Sequence, residues 1–173
     1  MSASFVNLLF LIPLAVFVSY YDVRYRRIPN PVVLATLVGG LMINFALGGL
    51  SGALTSLSGC GLAFVVMFIL HIFGAMGAGD VKLFAAIGSV TGAQLVLPMF
   101  FIVMMTGLVL AVYSMLRAKA VRTTMIGVLQ IFAGLLPGWR MPRFEVPTDK
   151  RHTIPYGVAI TIGSTIAIAV FRG

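Results

Sequence analysis

Long apolar runs, separated by short polar breaks or by breaks rich in glycine and proline, make up most of the chain. The runs cover residues 4–21, 32–48, 53–73, 80–91, 95–116, 123–136 and 153–171. A helix needs about 20 residues to cross a hydrocarbon core about 30 Å thick. The pattern therefore predicts an all-α, polytopic membrane protein with about six transmembrane helices in a single domain, residues 1–173.

Two of the runs differ from the others. Residues 80–91 are too few to cross alone unless the bilayer thins or neighbouring helices shelter them. Gly92 and Pro98 are predicted to bracket the turn from this run into the next one, 95–116. Residues 123–136 are bounded by Arg122 and by a polar stretch that contains Trp139. Such flanks predict an interfacial or dipping helix, with the tryptophan at headgroup level. The segment 118–152 is either that interfacial element or a lid over the substrate.

Composition supports a membrane protein and excludes several other classes. Hydrophobic residues make up 60% of the 173 residues and charged residues 9%, with a mean hydropathy of +1.09. Soluble domains are about half apolar and a quarter charged. The net charge of +8 does not indicate nucleic-acid binding, because the basic residues form no soluble face with aromatics between them. The single Cys60 offers neither an intrachain disulfide nor a CxxC metal site, so we expect no metal and no cofactor.

Positive residues orient the predicted helices. The first run has no Lys or Arg before Arg24 and lacks the positive stretch that opens a secretory signal. It predicts an uncleaved first span with a periplasmic N terminus, which leaves only Arg172 among the cations outside. The cations then placed in the cytoplasm are Arg24, Arg26, Arg27, Lys82, Arg117, Lys119, Arg122, Arg140, Arg143, Lys150 and Arg151.

The four acids are Asp22, Asp80, Glu145 and Asp149. The last two lie among basic residues and are expected to be solvated counter-charges. Asp22 ends the first run and Asp80 opens the short fourth one, so both are predicted at the cytoplasmic boundary, where an ionisable group is a functional candidate. Two carboxylates held close together share a proton. In an aspartic protease the ionised one activates water and the protonated one polarises the scissile carbonyl.

Other interpretations of the same residues stay open. Asp22 could pair with Arg24 or Arg26, and Asp80 could cap a helix. A small proton- or ion-coupled transporter with Asp22 and Asp80 in its pathway would place the acids near the bilayer midplane and show repeat symmetry. A non-catalytic assembly subunit would tolerate Asp→Asn changes. Both acids are predicted at one boundary and no repeat is visible, which favours the peptidase.

Three short motifs carry a resemblance to a known family. They are "DVRYRRIPN" at 22–30, "GAMGAGDVKLFAAIG" at 74–88, which contains a literal GxGD at 77–80, and "IPYG" at 154–157. In this order they resemble the type IV prepilin peptidases. The presenilin and signal-peptide-peptidase group shares a Tyr-Asp and GxGD, but its members are longer and carry a Pro-Ala-Leu motif that this chain lacks.

The resemblance implies a multi-pass aspartic endopeptidase of the bacterial inner membrane. Such an enzyme removes the short basic leader of a prepilin or pseudopilin precursor on the cytoplasmic side, next to the precursor's apolar helix. By position, the catalytic residues are Asp22 and Asp80. The residues expected to position substrate or complete the motifs are Gly77, Gly79, Lys82, Pro155, Tyr156 and Gly157.

The sequence departs from the longer family members in one respect. Those members carry an N-terminal cytosolic region with paired cysteines that bind zinc, and they also methylate the new N terminus. This sequence begins at the first span and has one cysteine, so we expect no zinc and no methyltransferase activity. The short form resembles the peptidases of Flp-type (tight-adherence) pili.

His71 is expected to be a hydrogen-bonded interfacial histidine rather than a proton shuttle, and Lys82 either tunes Asp80 or anchors its helix at the membrane surface.

Overall fold

The computed structural model describes residues 3–74, 76–117 and 156–172, which form five α-helices. These are α1 (Ala3–Tyr25), α2 (Asn30–Ile72), α3 (Ala78–Thr91), α4 (Ala93–Arg117) and α5 (Tyr156–Arg172). Within the described residues, α1, α2 and α4 are long and apolar enough to cross a membrane, and α5 is a shorter apolar helix. Within the described residues the fold is all-α, as predicted, and three of its helices could span a membrane. The count of six spans and the periplasmic N terminus remain predictions.

Contacts between residues divide the chain into two units. One contains Met1–Gly107 and Pro155–Gly173, and the other contains Leu108–Ile154. The first unit holds the buried core and all the site residues described below. Of the second unit, the structure describes the helical residues 108–117. The predicted interfacial helix at 123–136, with Trp139, lies outside the described residues.

Helix α2 contains two of the predicted spans and a sharp reversal between them. Gly49 has φ +58° and ψ −138°, a conformation outside the helical region that favours glycine. A Cβ on Gly52 would overlap the backbone carbonyl of Asn44, so the two arms, residues 30–48 and 50–72, fold back on each other. The reversal coincides with the predicted break between the second and third apolar runs.

Helix α3 lies between these two arms. Its 14 residues extend about 21 Å, less than the hydrocarbon core of about 30 Å. The Ser89 hydroxyl donates to the Leu37 carbonyl of the first arm at 3.3 Å. Gly88 lies against Gly59 of the second arm so closely that a Cβ on either glycine would overlap the other helix. Most of α3 is buried, as expected for a short segment sheltered by its neighbours.

The C-terminal end of α3 receives hydrogen bonds from two asparagine side chains. The last carbonyls of a helix lack partners within that helix, and leaving them unpaired in an apolar interior is costly. Asn44 Nδ2 donates to the Ser89 and Val90 carbonyls at 2.9 and 3.1 Å, and Asn7 Nδ2 donates to the Val90 carbonyl at 3.2 Å. These bonds allow α3 to end inside the bundle.

The turn that follows α3 is shorter than predicted. Gly92, with φ +78°, leads directly into α4 at Ala93. The prediction that Gly92 and Pro98 bracket this turn was wrong, because Pro98 lies inside α4. The fixed φ of proline, about −65°, is compatible with a helix, and so near the start of α4 the helix continues past it.

One end of the first unit gathers the predicted site residues. A hydrogen bond between Asp22 and Gly157 joins the end of α1 to the start of α5. At the other end, Asn7 near the start of α1 contacts Val90 near the end of α3. Both α3 and α5 therefore run antiparallel to α1, and their N termini lie at the end where α1 finishes.

Candidate active site

Asp22 lies in the last turn of α1 with its carboxylate against the N terminus of α5. The residue is only 7% exposed. The Gly157 N–H donates to Asp22 Oδ2 at 2.7 Å, and the Val158 N–H interacts with the same carboxylate. The first N–H groups of a helix have no partner within it, and the helix dipole favours negative charge there. The start of α5 is therefore a binding site for the Asp22 carboxylate.

The absence of a side chain at Gly157 makes this contact possible. A Cβ at this position would lie 2.8 Å from Asp22 Oδ2 and 3.1 Å from Cγ. Real Cβ atoms essentially never approach another heavy atom closer than 3.0 Å. Any residue other than glycine would displace either the carboxylate or the first turn of α5. This gives a physical reason for the last glycine of "IPYG".

Asp80 is the third residue of α3 and is half-buried. Its Oδ2 accepts a hydrogen bond from the Gly77 N–H at 3.3 Å, the bond that an acid at this position makes in a capping box. A Cβ on Gly77 would lie 3.0 Å from the same oxygen. Asp80 therefore contributes to the cap of α3 from the third position of the helix, whereas Gly77 is the N-cap residue. Capping leaves the other carboxylate oxygen available, so it does not exclude a chemical role.

The two aspartates interact electrostatically. Burial, and then the negative charge of Asp22, raise the pKa of Asp80 from 3.8 to about 6, while the Gly77 hydrogen bond opposes the rise. A like charge acts in this way only at short range in a partly desolvated site. The end of α1 and the start of α3 thus bring the two predicted catalytic residues within electrostatic reach of each other.

Arg26 terminates α1 and adds a positive charge to the site. Its φ of +52° is uncommon for a residue other than glycine, and its N–H donates to the Asp22 carbonyl at 3.0 Å, as in a left-handed helix cap. The Arg26 charge also acts on the Asp22 side chain. The interaction between Asp22 and Arg26 that the sequence left open is therefore present, and it favours the ionised carboxylate.

The other predicted site residues differ in their exposure and in their contacts. Gly79 is exposed in the first turn of α3. A Cβ built on Gly79 would lie 3.9 Å from the side chain of Ile28. Lys82 is exposed on the same helix. Tyr156 begins α5, half-buried, with its ring against Gly107 of α4. Pro155 lies outside the described residues, and roles for all of these in substrate positioning remain predictions.

His71 holds the loop that precedes the GxGD motif. Its Nδ1 lies 2.8 Å from the Met76 carbonyl oxygen. A carbonyl can only accept, so Nδ1 carries the proton in this contact. The expectation of a hydrogen-bonded histidine is confirmed. Among the described residues, no three His, Cys, Asp or Glu side chains are grouped in a way that could hold a metal ion.

Two hydroxyl residues near Asp22 were missed by the sequence reasoning. Ser19 Oγ of α1 and Thr161 Oγ1 of α5 lie 3.2 Å apart. The signal was their spacing: Ser19 is one turn before Asp22, and Thr161 is one turn after Gly157. Serine and threonine are common in membrane helices, so their positions alone did not distinguish this pair.

Comparison with known proteins found one family and one curated relative that match this sequence. The model of the type IV leader peptidase family matches residues 9–112, which include both aspartates and the GxGD motif. The chain is similar to a prepilin leader peptidase/N-methyltransferase of Bacillus subtilis (strain 168), with 28% identity over 159 residues. The alignment covers 90% of this chain and 52% of the relative, so the chain spans about half the length of that protein. No solved structure matches. Since the family model covers more than half of the sequence, the chain belongs to the type IV leader peptidase family.

Proposed function

We propose that this protein is an intramembrane aspartic endopeptidase that removes the leader of type IV prepilins, with Asp22 and Asp80 as its catalytic pair. One observation carries the proposal: Asp22 at the end of α1 and Asp80 at the start of α3 lie at the same end of the bundle, where the charge of Asp22 contributes to the raised pKa of Asp80. Each of them also accepts a hydrogen bond from a motif glycine, Gly157 or Gly77. Family membership supports the same activity.

The different environments of the two acids suggest different roles. Burial of Asp22 opposes its ionisation, but the short bond of 2.7 Å at the start of α5 and the Arg26 charge both favour the ionised form. Asp80 accepts a longer bond of 3.3 Å, and its pKa is raised to about 6. In a pair that shares one proton, Asp80 is therefore the member that carries it.

These roles define a complete hydrolysis. Asp22 takes a proton from water, and the water oxygen attacks the scissile carbonyl carbon. Asp80 donates its proton to the carbonyl oxygen, giving a neutral tetrahedral intermediate. When the C–N bond breaks, the proton held by Asp22 passes to the leaving amine, and the new carboxyl group returns a proton to Asp80. The pair is then ready for another cycle.

The proposed substrate is a precursor with a short basic leader followed by an apolar helix. The apolar helices of the protein support a site beside a lipid phase, where the precursor's own helix would lie. The distribution of positive residues along the sequence supports a cytoplasmic position for the two carboxylates. Flp-type prepilins are the first precursors to test.

The activity is tested by incubating the purified protein in detergent with a prepilin precursor and following leader removal. Wild type should cut, whereas Asp22→Asn and Asp80→Asn should each abolish cutting and still unfold cooperatively. Gly61→Ala provides a control, because a Cβ at this position has no neighbour within 4 Å. An Asn variant that cuts at the wild-type rate would eliminate the proposed pair.

Substrate class and sidedness need separate measurements. An Flp-type precursor and another type IV prepilin, assayed side by side, should differ in kcat/KM in favour of the first. For sidedness, Phe73 is replaced by cysteine in a Cys60→Ala background, because Phe73 is 81% exposed in the loop before the GxGD motif. A membrane-impermeant maleimide should label this cysteine only after the inner membrane is opened. Labelling of intact spheroplasts would place the site on the opposite side.

A further inference from the structure

We infer that Ser19 and Thr161 are positioning residues that keep the N terminus of α5 directed at Asp22. This inference rests on the proposed function, because it assigns the two hydroxyls to the reaction that Asp22 is proposed to carry out. They connect the same two helices as the Asp22–Gly157 bond, one helical turn further from the site. Thr161 is 2% exposed, so it is shielded from solvent and from a substrate at the carboxylates.

The direction of each hydrogen bond follows from counting protons. Thr161 Oγ1 lies 2.9 Å from the Gly157 carbonyl and 3.2 Å from the Val158 carbonyl. Both carbonyls can only accept, so the single hydroxyl proton of Thr161 is used there. Ser19 must therefore be the donor in the 3.2 Å contact with Thr161. The chain of bonds runs from Ser19 to Thr161, and from Thr161 to the carbonyls of the first turn of α5.

This chain acts on the residue that holds Asp22. Gly157 accepts the Thr161 bond through its carbonyl and gives its N–H to the Asp22 carboxylate. A threonine that donates back to the carbonyl four residues earlier also bends its helix. Thr161 thus influences the direction of the first turn of α5, and Ser19 fixes Thr161 to the helix that carries Asp22. Losing either hydroxyl should misdirect the Gly157 N–H while the substrate contacts stay intact.

The experiment compares kcat and KM for precursor cleavage by the wild type, Thr161→Val and Thr161→Ser. Valine keeps the shape of threonine without its hydroxyl, and serine keeps the hydroxyl. We expect Thr161→Val to lower kcat about tenfold, the effect of one ordinary hydrogen bond, with KM changed by less than about twofold. Thr161→Ser should restore kcat to near the wild-type value. If Thr161 only supported the fold, Thr161→Val would not lower kcat at constant KM, and Thr161→Ser would not restore kcat alone.

Thr165→Val is the matched control. Its hydroxyl donates to the Thr161 carbonyl at 2.8 Å within α5, so the substitution removes the same kind of helix-internal bond one turn further on. It should leave kcat unchanged. A kcat for Thr161→Val equal to that of wild type, or an equal loss in Thr165→Val, would overturn the inference. A Thr161→Ser variant as impaired as Thr161→Val would do the same.

Ser19→Ala provides a second test that does not depend on the folding of Thr161→Val. It removes the donor of the chain, and it should lower kcat in the same direction at constant KM. The double variant should lose no more than Thr161→Val alone, because both changes break one chain. Unchanged kcat in a folded Ser19→Ala protein would refute the inference, whereas failure of the wild type itself to cut would refute the proposed function.

Discussion

Replacing Gly157 with alanine tests the contact on which the proposed chemistry depends most directly. The new methyl group would lie 2.8 Å from Asp22 Oδ2, 3.1 Å from Cγ and 3.2 Å from Cβ. Ordinary van der Waals contact begins at 3.4 Å, so the carboxylate and the start of α5 must retreat from each other. Asp22 is buried, and the retreat lengthens the 2.7 Å bond from the Gly157 N–H.

The size of the effect follows from that bond. A hydrogen bond to a charged group contributes about 1.5–3 kcal/mol net. If the bond is present in the transition state and lost in the variant, kcat should fall by about 10- to 100-fold. Thermal stability should change much less, because alanine in place of glycine in a helix gains about 0.5–1 kcal/mol, which partly offsets the steric conflict.

Cleavage kinetics and thermal unfolding in the same detergent measure both quantities. Gly61→Ala is the control: it makes the same chemical change inside a helix, at a position open to 4 Å. It should keep wild-type kcat and unfold at the same temperature or higher. A folded Gly157→Ala protein that cuts as fast as Gly61→Ala would show that the bond from α5 to Asp22 has no part in catalysis.

Three further predictions concern stability, and all are measured by thermal unfolding in detergent. The raised pKa of Asp80 means that ionising this residue destabilises the folded state, so the free energy of unfolding should fall as pH rises from about 4 to 6 and stay lower above that. Asp80→Asn should remove this loss, which is at most about 3 kcal/mol at pH 8, and should change the free energy of unfolding little at pH 4. Asn44→Leu leaves the last carbonyls of α3 with fewer hydrogen-bond donors and should lower the free energy of unfolding by about 1–3 kcal/mol. The control Ser51→Ala removes an exposed hydrogen bond and should lower it far less, so equal losses in the two variants would contradict the capping argument. In Gly49→Ala the new Cβ would have no neighbouring atom within 4 Å, yet the backbone φ of +58° should make the substitution destabilising by about 1–2 kcal/mol. An unchanged unfolding temperature would contradict this.

The main features of the fold could be predicted because they depend on local chemistry. Apolar runs indicated membrane helices, and the glycine-rich break at 48–52 indicated the reversal that occurs at Gly49. The shortness of residues 80–91 indicated a sheltered helix, which is how α3 lies between the arms of α2. The pairing of Asp22 with Asp80 was predicted from two boundary positions and stays a prediction, which the influence of the Asp22 charge on the pKa of Asp80 supports.

The polar contacts between helices could not be predicted in the same way. The contacts of Asn7 and Asn44 with the end of α3 depend on how each helix is rotated about its axis and shifted along it. The same holds for Ser19 and Thr161. Rotation and shift result from packing over the whole length of a helix, and in membranes small and polar residues contribute to that packing without a strong periodic signal. Pro98 was misplaced for a simpler reason, since proline near a helix start is compatible with either a turn or a helix.

The two aspartates are held by different kinds of contact, and this has a consequence for how the site can fail. Asp80 bonds to Gly77 at the start of its own helix, so the carboxylate and its donor move together with α3. Asp22 belongs to α1, but its donor Gly157 belongs to α5, so its environment depends on the packing of two helices. A small shift between α1 and α5 therefore weakens the stabilisation of the Asp22 anion and leaves the cap of α3 unchanged. Because the proposed roles of base and acid depend on the difference between the two carboxylates, substitutions along the α1–α5 contact should reduce catalysis well before they unfold the protein.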